Sequence, residues 1–448
     1  MQADEALAIL DQILAEHPLN NLQETVFSYV WEGKTYAEIA ETCGYEHNYI
    51  RDVGFRLWQL LSEALAEKVS KSNVKAVLSR YARGQVVADG SSQIAIPVLS
   101  NLPVEFEFPN GPVPLQSQLY VERPPIESQV FTNVLKPGSL IRLKAPRQMG
   151  KTSLVRRILA HAQAHRLHTV SLSFHRADRA IYSDINRFLR WFCANISYQL
   201  GLAPDLDSYW NPDLGSKVSC SAYLEDYILE RIEGSLVIAL DEVNELFQYP
   251  EISAEFLPLL RLWYEDAREL EPWGRIRWVI AHATEVYVPL QLHQSPFNVG
   301  LAVKLPSFSL EQVQELAQRH QLPWAEGRTG RERLLSLMQV VSCRPGLVRL
   351  ALYALAYNDT TPEQLLEEAP TQSGIYSDHL RELLAALYPY PDLQAAFQTV
   401  IQSDQPVALE PITAYRLESL GVIKLDKNEA TLSCELYRRY FLEFLPSL

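Results

Sequence analysis

The chain has few of the residues that form covalent cross-links, and it lacks long apolar runs. Its 448 residues include only five cysteines, widely spaced and without a C-x-x-C pair, which argues against a disulfide framework and a structural zinc site. No stretch approaches the roughly 20 apolar residues that a membrane span needs. The start, MQADEALAIL, is acidic and has no basic segment of signal-peptide type. These absences favour a cytoplasmic protein without a membrane partner.

An excess of basic residues is also missing. The formal net charge is −14, from 40 basic and 54 acidic residues. This balance disfavours non-specific binding of nucleic acid by the chain as a whole. A hydrophobic content of 47% is that of an ordinary globular protein, and the length predicts about three domains rather than one core.

Residues 140–153, LIRLKAPRQMGKTS, join a hydrophobic strand end, a short loop and the start of a helix. This layout is typical of a P-loop, whose backbone N–H groups face phosphate oxygens at a helix N-terminus. Lys151 is expected to reach the β- and γ-phosphates, and the Thr152 hydroxyl to bind Mg²⁺. The predicted nucleotide-binding residues of the loop are Ala145, Pro146, Arg147, Gln148, Met149, Gly150, Lys151, Thr152 and Ser153.

One position departs from the usual pattern G-x-x-x-x-G-K-[ST], because Ala145 stands where the first glycine belongs. The remaining GKT is short and weak evidence by itself. A β-carbon at this position is tolerable if the chain leaves the strand at a less sharp bend, and Pro146 presets the turn.

The partner motif lies in residues 235–247, SLVIALDEVNELF, an almost wholly apolar strand that ends in Asp241 and Glu242. Parallel strands buried on both faces read as continuous apolar runs, and ligands bind at their carboxyl ends. Asp241 is expected to hold Mg²⁺ through water, and Glu242 to polarise the attacking water. The alternative is a strand that simply ends in acidic turn residues. The spacing from the P-loop favours an ATP or ADP site with Mg²⁺ and hence an ATPase.

Both ends of the chain are predicted to form helical modules. In residues 1–83 the text KTYAEIAETCGYEHNYIRDVGFRL is similar to a helix-turn-helix, with His47, Asn48, Arg51 and Arg56 on the expected recognition face. A protein adaptor is the slightly favoured alternative to DNA binding, because acidic residues outnumber basic ones there. Residues 84–117 are rich in proline, glycine and serine and predict a linker. Residues 373–448 predict a winged helix with a hairpin turning at Lys427 and Asn428.

The predicted architecture is therefore an α/β P-loop core of three layers with a parallel sheet at 118–307, a helical lid at 308–372, and the two flanking helical modules. A strand near residues 275–281 and another near 301–305 complete the expected sheet. Ser309 is expected to cap the first lid helix, with Gln312 at the capping-box position.

The motifs APRQMGKTSL, LRWFCANIS, LGSKVS, IALDEV, ATEVY, QSPFNVG and CELYRRYF resemble the AAA-like domain family of bacteria, frequent in cyanobacteria. The order of motifs, including L-P-x-F-S and a proline-bearing lid helix, also resembles the STAND clade of signalling ATPases. The front end resembles the helix-turn-helix of proteins associated with vWA–MoxR systems. The resemblance covers nearly the whole chain.

The resemblance implies roles for further residues. Val121 and Arg123 correspond to positions that flank the adenine, and Pro345 to the lid proline near it. Arg349 is a candidate nucleotide sensor, and Thr284 or His282 a polar sensor of the γ-phosphate. Glu285 stands where some relatives carry arginine, which puts sensing by that strand in doubt.

The function that the resemblance implies is an ATP-binding, slowly hydrolysing switch in signalling or anti-invader defence, acting through a protein partner or by forming a homo-oligomer. The alternative is a DNA-binding ATPase of replication or transposition type, with DNA as the less favoured partner. A third hypothesis is a scaffold that binds nucleotide without hydrolysing it.

Overall fold

The computed structural model describes residues 106–283, 295–357 and 360–445, and, nearer the N-terminus, residues 21–31, 33–43 and 47–65 with isolated positions between 6 and 78. The chain forms two compact units, Met1–Pro103 and Val104–Leu448. Among the described helices, none combines the length and apolar character that a membrane span requires.

Three helices form the described part of the first unit. They are α1 (Asn21–Trp31), α2 (Tyr36–Cys43) and α3 (His47–Leu65). Thr35 caps α2, since its hydroxyl accepts from the Glu38 N–H at 3.3 Å while the Glu38 carboxylate accepts from the Thr35 N–H at 2.7 Å. Trp58 donates to the Tyr36 hydroxyl at 2.6 Å, which fixes α3 against α2. The predicted pair of helices is present; the side chains proposed for its recognition face lie outside the described residues.

A five-stranded parallel sheet organises the second unit, in the order β2-β3-β4-β1-β5. Its strands are β1 (Leu140–Lys144), β2 (His168–Ser173), β3 (Leu236–Asp241), β4 (Ile276–His282) and β5 (Leu301–Lys304). Ser173 stands opposite Asp241, and Lys144 opposite His282. The carboxyl ends of four neighbouring strands therefore share one edge, where ligands of parallel sheets bind.

Strand β3 is buried along its whole length, which explains its apolar sequence. Leu236, Ile238 and Leu240 point to one face of the sheet, whereas Val237 and Ala239 point to the other. Helices cover both faces, so the predicted three-layer core is confirmed. The face of Val237 is covered by α4 (Ile126–Val134) and α5 (Lys151–Ala164). The opposite face is covered by α6 (Ile185–Gln199), α7 (Leu206–Tyr209), α8 (Ser216–Ala222) with the π-helix Tyr223–Leu229, α9 (Pro250–Asp266) and α10 (Glu271–Gly274).

The lid follows β5 and is helical, as the sequence predicts. Ser309 and Gln312 form the predicted capping box at its first helix. The lid consists of α11 (Leu310–Arg319), α12 (Gly327–Val341), α13 (Pro345–Ala356) and α14 (Pro362–Glu368). We call α13 the lid helix, because it begins against the P-loop.

The C-terminal module, residues 373–445, shares one apolar core with the lid. Its helices are α15 (Ser377–Leu387), α16 (Pro391–Gln402), α17 (Pro411–Leu420) and α18 (Glu435–Phe444), and its strands are β6 (Val407–Ala408), β7 (Ile423–Asp426) and β8 (Glu429–Leu432). The predicted hairpin joins β7 to β8. The winged-helix assignment itself stays a prediction.

Residues 106–117, which the sequence places in the linker, belong to the second unit and pack against its helices α5 and α13. Phe106 and Val113 are buried, and the Phe106 backbone N–H donates to the Tyr357 hydroxyl at 3.3 Å. Proline and glycine rightly indicate irregular backbone here, but composition carries no information about what that backbone contacts. We call residues 106–117 the strap.

Candidate functional site

The loop between β1 and α5 has the geometry of a P-loop. Gly150 adopts a left-handed conformation with φ 88°, which favours glycine directly before Lys151. Lys151 is buried, and its ammonium donates to the carbonyls of Ala145 at 2.7 Å and Pro146 at 2.9 Å. No side chain caps α5, so the backbone N–H groups of its first turn are available to an anion.

Ala145 is compatible with this loop. Its side chain is 2% exposed and packs among the apolar residues between the sheet and helices α4 and α5. Met149 is likewise buried, whereas Arg147 and Gln148 are exposed. The β-carbon that replaces the usual first glycine therefore contributes to the core.

Thr152 and Asp241 meet where α5 approaches the end of β3. The Thr152 hydroxyl donates to Oδ2 of Asp241 at 2.8 Å. Burial raises the pKa of Asp241, and the nearby Glu242 raises it further, so a cation beside Asp241 would stabilise its charge. A hydroxyl and a carboxylate fit Mg²⁺, which takes one or two protein oxygens together with phosphates and waters.

Glu242 follows Asp241 in a left-handed backbone conformation, with φ 57° and ψ 42°. Such strain in a residue other than glycine is typical of functional sites. The Ser173 hydroxyl donates to Oε2 of Glu242 at 3.0 Å, and Nε2 of His175 lies 3.5 Å from Oε1. His175 also lies 3.5 Å from Glu245. Both carboxylate oxygens of Glu242 thus face groups that follow or end strand β2.

The end of β4 contributes His282, while Thr284 lies outside the described residues. Burial, together with Lys144 and Lys151, lowers the pKa of His282 to about 3, so its ring is neutral. Asn244 accepts from the Ala283 N–H at 3.0 Å and ties the segment after β3 to the end of β4. The sequence reasoning did not single out Asn244.

The strap crosses from the P-loop helix α5 to the lid helix α13. The Val113 N–H donates to the Ser153 hydroxyl at 3.0 Å, and Arg157 donates to the carbonyls of Val113 at 3.0 Å and Pro114 at 2.9 Å. At the other end, Arg349 donates to the Gly111 carbonyl at 3.2 Å. Ser153 therefore supports the strap.

Arg349 lies 3.7 Å from Glu107, and burial lowers its pKa. Its guanidinium thus contacts two residues of the strap. The structure places this predicted sensor at the junction of strap and lid.

Arg123 contacts the P-loop directly. It is 3% exposed, and its NH1 donates to the Met149 carbonyl at 2.7 Å. Its backbone N–H is held by Glu127 at 2.9 Å. Val121 is also buried but packs in the core of the lid. Of the two residues expected to flank adenine, Arg123 lies against the loop, and Val121 supports the lid.

The lid helix begins at Pro345, and the next residue contacts the P-loop. The Gly346 N–H donates to the Gln148 carbonyl at 2.9 Å. A Cβ on Gly346 would lie 2.6 Å from the Gln148 Cβ, so only glycine permits this approach. Pro345 is buried beside this contact.

The C-terminal module reaches the same region through α17. Nζ of Lys144, the last residue of β1, lies 3.4 Å from the Tyr415 hydroxyl and 4.8 Å from the centre of its ring. Lys304, the last residue of β5, pairs with Glu418 at 3.1 Å. No sequence pattern predicts these contacts, because their partners lie more than a hundred residues apart.

The structure brings together Lys151, Thr152, Asp241 and Glu242, four of the five residues to which the sequence assigned the chemistry; the fifth, Thr284, lies outside the described residues. Basic groups surround the loop in a chain that is acidic as a whole, which makes this edge of the sheet suited to an anion. Among the described residues no cluster of three or more His, Cys, Asp or Glu side chains could hold a metal alone.

The strand order, the loop and the acidic strand end together define a P-loop α/β fold of the Walker type. The chain belongs to the AAA-like domain family, whose model matches residues 108–443. Residues 1–81 match a second model, described as the vWA-MoxR associated protein N-terminal HTH. The family expected from the sequence is thus confirmed.

Solved structures with a similar fold include a Walker-type ATPase of Pyrococcus abyssi, with 16% identity, a TM-score of 0.48, and coverage of 72% of this chain and 96% of the other. The ORC2 protein of Aeropyrum pernix, solved as ADPNP–ADP complexes, has 16% identity and a TM-score of 0.44, with coverage of 74% of this chain and 94% of the other. Cdc6p of Pyrobaculum aerophilum has 15% identity and a TM-score of 0.36, with coverage of 73% of this chain and 97% of the other. These values are too low to carry an argument about activity. No curated protein matches the chain.

Proposed function

We propose that the chain is an ATP-dependent molecular switch that binds ATP or ADP with Mg²⁺ at the P-loop and hydrolyses ATP slowly. The observation that carries this proposal is the set of contacts around the loop: the lid helix, the C-terminal module and Arg123 all contact it or the strand that leads into it. Whatever occupies the loop is therefore sensed by several parts of the unit.

In this proposal Lys151 and the N-terminus of α5 hold the phosphates, and Thr152 and Asp241 hold the metal. Mg²⁺ would neutralise phosphate charge and orient the terminal phosphate. Glu242 accepts a proton from the attacking water, for which its carboxylate must release Ser173 or His175. Since the Ser173 hydroxyl already donates to one of its oxygens, we expect hydrolysis to be slow.

Signalling or defence as the biological context rests on the resemblance to STAND ATPases. No protease, nuclease or deaminase motif is evident in the sequence, so we propose that the output passes through a protein partner or through assembly of several copies. The helix-turn-helix of residues 1–81 is a candidate adaptor for such a partner.

Binding of DNA by the C-terminal module is the less favoured alternative. Tyr437 and Tyr440 are buried in the core of the module. Arg438 pairs with Glu435 at 3.3 Å, and Arg439 lies 3.7 Å from the same carboxylate. These four side chains of α18 therefore serve packing and ion pairs.

The test is turnover of ATP with Mg²⁺ in the wild type and in Glu242→Gln. We expect slow phosphate release in the wild type, abolition by EDTA, and a loss of about 100-fold or more in Glu242→Gln with ATP affinity kept within a few-fold, because the amide cannot accept the proton. Native mass with ATP and with ADP tests assembly.

If neither protein releases phosphate although both bind ATP, the chain is a nucleotide-binding scaffold. Salt-dependent binding of duplex DNA together with stimulated turnover would instead favour the DNA-binding alternative.

A further inference from the structure

A buried arginine immediately before the lid helix contacts uncharged groups among the described residues. Arg344 is 4% exposed. Its NH1 donates to the Tyr437 hydroxyl and lies 3.4 Å from Nε2 of His379, and its NH2 donates to the Leu420 carbonyl at 3.2 Å. These partners belong to the C-terminal module, so Arg344 joins the start of the lid helix to helices α15, α17 and α18.

None of these partners balances the charge of Arg344. Burial and the charge of Arg344 lower the pKa of His379 to about 3, so its ring is neutral. Burial raises the pKa of Tyr437, which therefore keeps its proton. Throughout the described ranges no carboxylate forms an ion pair with Arg344, whereas Arg349 on the same helix lies 3.7 Å from Glu107. A buried cation without a counter-charge is costly, so an anion is expected nearby.

The P-loop lies next to this cation. A Cβ placed on Gly421 would lie 2.1 Å from NH2 of Arg344 and 3.0 Å from the Pro146 Cβ, so both side chains border the same point. Two residues after Arg344, the Gly346 N–H donates to the P-loop carbonyl of Gln148. The guanidinium is thus adjacent to the loop that the proposed function assigns to phosphates.

We propose that the phosphates of a nucleotide at the P-loop are the counter-charge of Arg344, and that Arg344 thereby couples nucleotide binding to docking of the C-terminal module. The inference rests on the proposed function, since it requires a nucleotide at this loop. Attraction between the phosphates and the guanidinium acts through a poorly solvated region, where charges interact strongly. The hydrogen bonds of Arg344 to Leu420 and Tyr437 carry the effect to the C-terminal module. Such coupling is reciprocal.

The central experiment compares the dissociation constants of ATP and ADP in the wild type, Arg344→Gln and Arg344→Lys. We expect Arg344→Gln to weaken ATP binding about tenfold or more, and ADP binding less because ADP carries less negative charge. Arg344→Lys keeps the charge and should stay within about threefold of the wild type. Arg438→Gln is the matched control: this arginine lies in the C-terminal module, where it pairs with Glu435 and Asp404, and its loss should leave affinity unchanged.

A second measurement does not depend on the folding of Arg344 variants. In the wild type, we expect ATP or ADP to slow hydrogen exchange in α17 and α18. In Tyr437→Phe, which leaves the charge of Arg344 in place but removes one of its hydrogen bonds, ATP should bind within about threefold of the wild type and protect these helices less.

Three outcomes would overturn the inference. They are an equal loss of ATP affinity in Arg344→Gln and Arg344→Lys, an unchanged ATP affinity in Arg344→Gln, and hydrogen-exchange rates of α17 and α18 in the wild type that are the same with and without nucleotide. Wild-type protein that binds neither ATP nor ADP would contradict the proposed function instead, so the two failures are distinguishable.

Discussion

The floor of the candidate site and its cover are built differently. The floor consists of Lys151, Thr152, Asp241 and Glu242, each at a helix start or strand end, and the register of the sheet aligns them. The cover consists of the strap, the lid helix and the C-terminal module. It is held by contacts between residues far apart in the sequence, such as Gly111 with Arg349 and Gln148 with Gly346.

The difference indicates where a switch is able to move. The floor is continuous with a buried parallel sheet, so displacing it disrupts the core. The contacts between cover and floor include single hydrogen bonds such as that of Gly346 with Gln148, each worth about 0.5–1.5 kcal/mol net. We therefore expect opening of the cover to cost less free energy than unfolding of the floor.

The largest effect is expected in the floor. Lys151→Ala should weaken ATP binding about 100-fold or more while leaving the fold intact, because the ammonium proposed to hold the phosphates is lost and the apolar core keeps all of its side chains. Isothermal titration calorimetry measures the affinity, with Lys136→Ala, an exposed lysine after α4, as the control. Wild-type affinity in Lys151→Ala would show that the loop does not bind the phosphates.

Acid should weaken the cover through His379. Its pKa is lowered from 6.5 to about 3 in the folded chain, so only the unfolded chain takes up a proton between these values. Its contribution to stability is thus present above about pH 6.5 and is lost as the pH falls toward 3. Between pH 7 and 5 we expect a loss of about 2 kcal/mol from this residue.

Urea unfolding at both pH values, in the wild type and in His379→Gln, checks this expectation. The variant should lose about 2 kcal/mol less than the wild type on acidification, since glutamine does not titrate. Identical pH dependence in the two proteins would show that His379 is not buried as a neutral ring.

Of the two effects on ATP affinity, the smaller is expected where the lid helix contacts the loop. In Gly346→Ala the new Cβ would lie 2.6 Å from the Gln148 Cβ, so the lid must shift. We expect about tenfold weaker ATP binding and about 1–3 kcal/mol lower stability, measured by titration and thermal unfolding. Gly111→Ala is the control, because its Cβ would enter open space. Equal behaviour of the two variants would mean that lid contact contributes nothing to binding.

Much of the fold was predictable because its signals are local. The apolar run before Asp241 identified β3, the loop before Lys151 identified α5, and Ser309 with Gln312 marked the start of α11. Each signal depends on residues within one turn or strand. The paired placement of the Walker-type residues followed because parallel strands end at a common edge.

The residues around Glu242 were missed for the opposite reason. Ser173 ends strand β2 and became a candidate only once β2 was known to lie beside β3. Asn244 and His175 have no distinctive sequence context. The contacts of Tyr415 and of the strap could not be predicted from the sequence. A proline-rich segment or a helical tyrosine has the same sequence pattern whether it is packed or exposed to solvent.

The sequence by itself determined the chemistry of the floor: a lysine and a threonine at a helix start and two acids at a strand end, because short-range patterns encode helices, strands and turns. Only the tertiary structure decided what lies over that chemistry. It packs the strap that composition assigns to a linker, directs Arg349 to Glu107, and leaves Arg344 beside the loop among neutral partners. The reason is physical: which distant surfaces meet depends on the packing of the whole unit, and no local pattern contains it.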